Sequence, residues 1–274
     1  SDGSSGQFLK TDGSGALSFA TAGGGASASD DLYIANPSSA TNPTAAGANA
    51  VSIGSQSEAG GEASLAAGFN ATATAYRALA LGHGADAGNT SISIGTSATS
   101  SNEGVALGRD ATASGSESNA LGHSSVSTAT GASAIGKSRA SGADSFAAAI
   151  ANNTASYGAT GANSVAIGSG LARATGARSI AIANNAAASG ADSVAIGRSA
   201  ESSASAAFTF GYHCVASAAN TIATGLQASA AIIGKSAYAS GSFAGTNNGD
   251  AQGGQYILRS DTTDATAEAM TTNN

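Results

Sequence analysis

"NSVAIGSG", residues 163–170, sets Val165 and Ile167 on either side of Ala166 and closes on Gly168. The string returns as "ADSVAIG" at 191–197, and more loosely as "NAVSIG" at 49–54 and "EGVALG" at 103–108. Copies are anchored on the closing glycine or a small substitute. They stand at Gly54, Gly68, Gly82, Gly95, Gly108, Gly122, Gly136, Ala151, Gly168, Ala183, Gly197, Gly211, Gly225 and Gly234. Most spacings are 13 to 15, with one of 17 between Ala151 and Gly168 and one of 9 before Gly234. A fixed period of this kind marks a repeat architecture, in which each copy is one structural unit stacked on the next.

Alternation of period two inside each copy predicts a short strand. Large residues fall three and one before the anchor, as Val51/Ile53, Leu79/Leu81, Ile92/Ile94, Val165/Ile167, Ile180/Ile182 and Val194/Ile196. The residue between them is Ala or Ser. In the irregular coil this register places Ala148 and Ile150 before Ala151, and in the last coil Ala231 and Ile233 before Gly234. The large residues are expected to form the rungs of a core, with the anchor turning the chain into a second strand. That second strand reads as segments such as "ATASG" at 111–115 and "AAASG" at 186–190, small throughout. Fourteen residues leave room for two short strands and two turns. Both faces then need covering, and a sheet this thin needs a second copy of itself. Stacked at ~4.8 Å, the coils predict a rod of roughly 60 Å.

Composition agrees with a thin, repetitive wall. The chain has 274 residues, of which 10% are charged and 5% aromatic, with no Trp and two Pro. Ala and Ser bury little area, so a compact monomer has little to set against its conformational entropy. Net charge is −7, and the basic residues are scattered from Lys10 to Arg259, which argues against a nucleic-acid partner. No segment reads as a membrane-spanning helix or a signal peptide. The chain begins at Ser1, from which a processed or excerpted protein is expected. Cys214 is the single cysteine, so neither an intrachain disulfide nor a cysteine-rich zinc site is available.

"NSVAIG" at 163–168 and "DSVAIG" at 192–197, each followed by a Ser/Ala/Gly strand near the 14-residue period, resemble the head repeats of YadA-like trimeric adhesins. The resemblance spans about residues 48–245. It implies an all-β fold, a left-handed parallel β-roll or solenoid of ~14-residue repeats, assembled as an elongated homotrimer. Handedness and threefold symmetry come from the resemblance alone; the spacing reaches only a thin parallel solenoid that must associate. The basic neck, coiled-coil stalk and membrane barrel of such adhesins have no counterpart here. The flanks, "SDGSSGQFLKTDGSGALSFAT" at 1–21 and "AQGGQYILRSDTTDATAEAMTTNN" at 251–274, resemble segments of tailed-phage fibres and appendages.

No constellation calls for catalysis. His83 and His123 each follow an anchor glycine, in a column shared with Thr96, Arg109, Lys137, Arg198 and Lys235, and are expected on solvated turns three coils apart. His213 and Cys214 are sequence neighbours, which a strand points to opposite faces. A glycan depolymerase needs two carboxylates some 5–9 Å apart, and Asp110 with Glu117 is the pair that stacking would bring closest. Two irregularities remain. The long interval inserts residues around Tyr157, and "FTFGYHC" at 208–214 replaces aliphatics by Phe208 and Phe210 before Tyr212. The phenylalanines are expected to fill a wider core. Tyr157 and Tyr212 are the candidate receptor-binding residues, since exposed aromatics anchor interfaces.

Residues 1–25 read as a linker or small β segment, 26–47 as a lead-in, 48–245 as the roll and 246–274 as the start of a C-terminal β module. The function expected is a non-enzymatic structural and host-attachment section of a trimeric phage tail fibre in the virion, needing no metal or cofactor. Its partners would be other tail or fibre proteins and a glycan or protein receptor on the host surface, without nucleic acid or membrane insertion. A bacterial adhesin head on the outer-membrane surface is the alternative, and a depolymerase the third reading.

Overall fold

In a computed structural model, residues 7–11, 17–21, 41–149, 154–243 and 248–256 are described. The chain is all-β, and no helix occurs among these residues. Gln7–Thr11 and Leu17–Thr21 form an antiparallel hairpin. From Thr44 onward the chain winds as a β-solenoid of about 14 residues per turn. Each coil contributes a first strand of three to five residues and a second strand of two.

First strands stack in one sheet from Val51–Ile53 to Ser236–Ser240, each parallel to the next; second strands stack in a facing sheet from Thr44–Ala45 to Ser229–Ala230. Thr72 continues the second sheet by single parallel bridges to Glu58 and Asp86. Register is strict: Val165 lies beside Ile180 and Ile180 beside Val194, with the alanines Ala166, Ala181 and Ala195 aligned between. The second strands predicted inside 111–115 and 186–190 are Thr112–Ala113 and Ala187–Ala188.

The core is not where the alternation placed it. In each first strand the central small residue is buried, while the large residues on either side are only partly covered, as in Val165–Ile167 and Ile180–Ile182. Ala66, Ala80, Ala106, Ala120, Ala166, Ala181 and Ala195 are 0% exposed, and so are Ala59, Ala73, Ala113, Ala140, Ala174 and Ala188 from the facing sheet. The two sheets lie so close that an alanine from each fills the space. Val and Ile therefore point out of the roll, so the expectation that Val165 and Ile167 form a rung of core is reversed. Phe210 follows the same rule: it is 56% exposed and fills no widened core.

Serine supplies the remaining interior. The residue before each first strand is commonly a buried Ser whose hydroxyl donates to the carbonyl three residues back, as Ser64 to Gly61, Ser179 to Gly176 and Ser193 to Gly190, each at 2.7 Å. A buried hydroxyl without such a partner would cost on the order of 1–3 kcal/mol. Thr209 replaces alanine in the first-strand column and meets Ser202 at 3.0 Å.

Two turns close each coil. The first follows the first strand and opens on the anchor; Gly168 has φ +148, and a Cβ there would lie 2.7 Å from the Ala183 carbonyl of the next coil. Each turn also holds one residue near φ +55, such as Asn163 and Asp192 in second turns and Asn185 and Ser199 in first turns. Asn and Asp tolerate this left-handed region better than most residues.

Register corrects the sequence reading twice. Phe146–Ala148 pairs with Ser133–Ile135 and Val165–Ile167, so the irregular coil is anchored on Ala149 rather than Ala151, and Phe146 and Ala148 replace Ala148 and Ile150 as its flanking pair. Ala147 then takes the interior position, and Ser145 falls in the serine column, donating to Ala159 at 3.1 Å. Both requirements are met only in this frame. The last first strand is Ser236–Ser240, with Ala239 beside Gly225, so Gly234 lies in the preceding turn and Lys235 leaves the column that follows the anchors. At the two ends, Thr44–Ala45 pairs with Glu58–Ala59, and after the roll Gln252–Gln255 folds back antiparallel on Ser236–Ser240.

Around Ala181 the interior is packed by alanines alone and leaves little room for added volume. Ala181→Val is expected to lower stability by about 1–3 kcal/mol through overpacking, whereas Ile182→Val, one residue along and pointing out, shifts the denaturation midpoint of the isolated chain far less; urea unfolding followed by circular dichroism measures both.

Candidate interaction surface

Turned outward, the large residues of the first sheet make a continuous apolar face along the rod. Val51, Ile94, Leu107, Ile135, Phe210, Ile222 and Tyr238 are all at least 37% exposed. Register places Ile167, Ile182, Ile196 and Phe210 on four successive rungs of one column, and Val165, Ile180, Val194 and Phe208 on the other. An uncovered apolar face of this extent marks an interaction surface on a soluble protein.

The two turn ridges flanking this face differ in charge. Among the described residues, first turns carry Arg109, Lys137 and Arg198, with His83, His123 and His213, against one carboxylate, Asp110. Second turns carry Glu62, Glu103, Glu117, Asp144 and Asp192 against Arg77, Arg178 and the largely buried Lys235. Charges that look scattered along the sequence are thus sorted by the winding into a basic edge and an acidic edge. Asp110 and Glu117 sit on opposite ridges, in a first and a second turn, and not together as a hydrolytic pair would require. Among the described residues, no group of His, Cys, Asp and Glu is placed to hold a metal ion.

Side chains on successive rungs pair along these ridges. Phe69 and His83 stack at 5.3 Å between ring centroids. Arg109 meets His123, and Asp110 lies 3.5 Å from Arg109 and 3.9 Å from His123. Arg178 binds Asp192 through two bonds, of 2.6 and 2.8 Å. That contact holds the Asp192 carboxyl below its usual pKa and raises the guanidinium further. His213 and Cys214 lie in the turn after Phe208–Tyr212 and not on the strand expected from the sequence: His213 sits at φ +54 against the Tyr212 ring, while Cys214 points inside with no exposure. Cys214 takes the interior column that Ala200 and Ala228 occupy in neighbouring coils, and burial pushes its thiol pKa up.

The two tyrosines singled out by the sequence have different settings. Tyr212 is 40% exposed on the basic ridge, its ring 5.3 Å from the Arg198 guanidinium carbon and edge-on to His213 at 4.3 Å. Tyr157 is partly buried and packs against the alanine core at the end of the enlarged turn. It adjoins Gly158, which lies between Arg139 and Arg173 on the outer face of the second sheet. The Nε of Arg139 is buried without a hydrogen-bond partner. The sequence reading missed this pair of arginines because they are 34 residues apart and meet only through the enlarged coil. It also missed the exposed aromatics Tyr238 and Phe243 at the C-terminal end, at 62% and 88%.

Comparison with protein families and with curated proteins returned no match.

Two outcomes follow from these settings. Cys214 is expected to resist alkylation in the native protein and to react at the rate of a free thiol in denaturant, followed by mass spectrometry. The Arg178–Asp192 pair is fully exposed to solvent screening, so Asp192→Asn is expected to cost little. Because the folded carboxyl titrates below its unfolded value, that small difference is present at neutral pH and disappears as pH falls through the carboxylate range. Thermal midpoints of both proteins between pH 7 and pH 2 measure it.

Proposed function

We propose that the chain is a non-enzymatic structural and attachment section of a homotrimeric surface appendage, of the kind found in tailed-phage fibres. The observation that carries this reading is the apolar face of the first sheet, uncovered over the length of the rod. Copies of the same chain are the occupants that match it in length and periodicity. The ridges flanking the face support this choice. Rotation about an axis parallel to the rod sets the basic ridge of one copy beside the acidic ridge of the next. A twofold axis perpendicular to the rod, along the strands, would instead set like on like, with antiparallel rods. Charge complementarity thus favours parallel copies, in which Arg109 and Arg198 approach the edge bearing Glu103 and Asp192.

The threefold number and the phage setting rest on the resemblance to YadA-like head repeats and on the flanking segments. With the first sheets turned inward, the second sheets face solvent, with Arg139 and Arg173 on that outer face and the partly buried Tyr157 at the end of the adjoining enlarged turn. Tyr212 with Arg198 lies at the edge between copies. Aromatic rings beside guanidinium groups suit stacking and charged hydrogen bonding to a sugar or protein on a host surface. Three identical chains convert weak contacts into avidity.

Sedimentation of the 274-residue chain tests the assembly: the wild type is expected to run as a trimer, and Ile182→Asp/Ile196→Asp as a folded monomer. A wild type that stays monomeric overturns the reading. Attachment is tested with labelled rods on a panel of bacterial strains. Tyr212→Ala and Tyr157→Phe are expected to lower binding at least threefold to a strain that the wild type binds; unchanged binding by both removes these tyrosines from the receptor contact.

A further inference from the structure

At the C-terminal end of the roll the pattern changes in four ways at once. Every strand pair within the roll is parallel, yet Gln252–Gln255 runs antiparallel along Ser236–Ser240, with Gln252 beside Ala239 and Gln255 beside Ser236. This occupies the open edge of the first sheet. Among the described residues the second sheet ends on Ser229–Ala230. There the side chain of Gln252 takes the place of a strand. Its Oε1 accepts from the Ser229 N–H at 2.7 Å, and its Nε2 donates to the Ser229 carbonyl at 2.9 Å. One primary amide thus supplies the acceptor and the donor that a backbone residue of a next coil would supply.

The interior is closed as well. Lys235 occupies the column filled by Ser193, Ala207 and Thr221 in earlier coils, where its carbonyl still accepts from Ile222 as the ladder requires. Where a further coil would cover the alanines, its long apolar stem lies over them instead, and the residue is only 9% exposed. Its ammonium donates to the Ser229 carbonyl at 3.0 Å and sits 5.7 Å from the Tyr256 ring centre. Gly254 has no side chain, which admits the stem: a Cβ there would lie 3.2 Å from Cε of Lys235. The first-turn ladder is continued by the Gly249 N–H, which donates to the Gln227 carbonyl at 2.8 Å.

Open sheet edges template the addition of further strands, and solenoids require end caps for solubility. We infer that residues 248–256, with Lys235, are a cap that terminates the roll and prevents strand addition and end-to-end joining of rods at this end. The cap pairs the edges of Ser236–Ser240 and Ser229 and seals the interior without adding a coil, leaving the short antiparallel Gln252–Gln255 as the outermost strand of the first sheet. The chain closes this end of the roll with its own side chains, so a second rod cannot add its strands there.

Amide exchange and rod length test the cap in the full chain. Gln252→Leu keeps the shape and removes both side-chain bonds; Gln252→Glu keeps the acceptor and removes the donor. Ser229 amide exchange is expected to speed at least tenfold in the leucine variant and less in the glutamate variant, with Val165 and Ile180 amides unchanged. The triple variant Lys235→Ala/Gln252→Leu/Gly253→Pro, which opens both edges, is expected to form rods of twice the wild-type length by electron microscopy and light scattering. An unchanged Ser229 rate, or a triple variant with a protected roll that stays at wild-type length, overturns the inference.

Discussion

The distance between the two sheets governs the rest of this molecule. They approach until a single alanine or serine from each side fills the gap, and every feature of the chain follows from that limit. Ala166, Ala181 and Ala195 face Ala159, Ala174 and Ala188 with no exposure. Thr209 and Thr221 are the largest side chains fully enclosed there. Serine is admitted because its hydroxyl returns to a carbonyl of its own turn, and Cys214 because its thiol is nearly as small. A core of methyl groups stabilises little per residue, so the backbone ladders and the repeated register carry the fold, and each coil depends on its neighbours.

Large residues excluded from the interior must go outward, and this links fold to function. A globular domain hides its Val and Ile; here the same residues form a stripe along the outside of one sheet. In the proposed assembly that stripe is covered by further copies of the chain, which match its rung-by-rung periodicity. The winding also sorts ionic groups by turn. Residues after the first strand fall on one ridge and those after the second on the other, so a chain of modest charge acquires two edges of opposite sign. The same limit explains the end of the roll, where the interior needs a cover one side chain thick. The stem of Lys235 serves as that cover, and the amide of Gln252 stands in for a missing strand.

Where the pattern breaks, the surface changes. The coil between Ala149 and Gly168 is longer than the others, and it leaves Gly158 between Arg139 and Arg173, with Tyr157 turned against the core. Near the C-terminal end aromatics replace aliphatics, and Phe210 and Tyr238 stand two rungs apart in one outward column. A regular coil offers a ligand only short, similar side chains. Irregular coils are the places where shape and charge become particular enough to recognise a surface.

The sequence by itself determined the period, the strand at each copy of "SVAIG" and the parallel stacking. A 14-residue spacing with period-two alternation admits little else. It read His213 and Cys214 as strand neighbours, whereas the two part at a turn, with His213 at φ +54. Which face was the inside lay beyond it, because alternation separates two faces without ranking them, and the usual preference for burying large residues pointed the wrong way. Only the closeness of the sheets decided that alanine goes in and valine out. The frame of the Ala149 coil and of the last strand was likewise undecided locally, since runs of alanine fit several registers; pairing with neighbouring coils selected the one that keeps a small residue inside. Charge ridges and the terminal cap join residues far apart in sequence, and they exist only once the chain is wound.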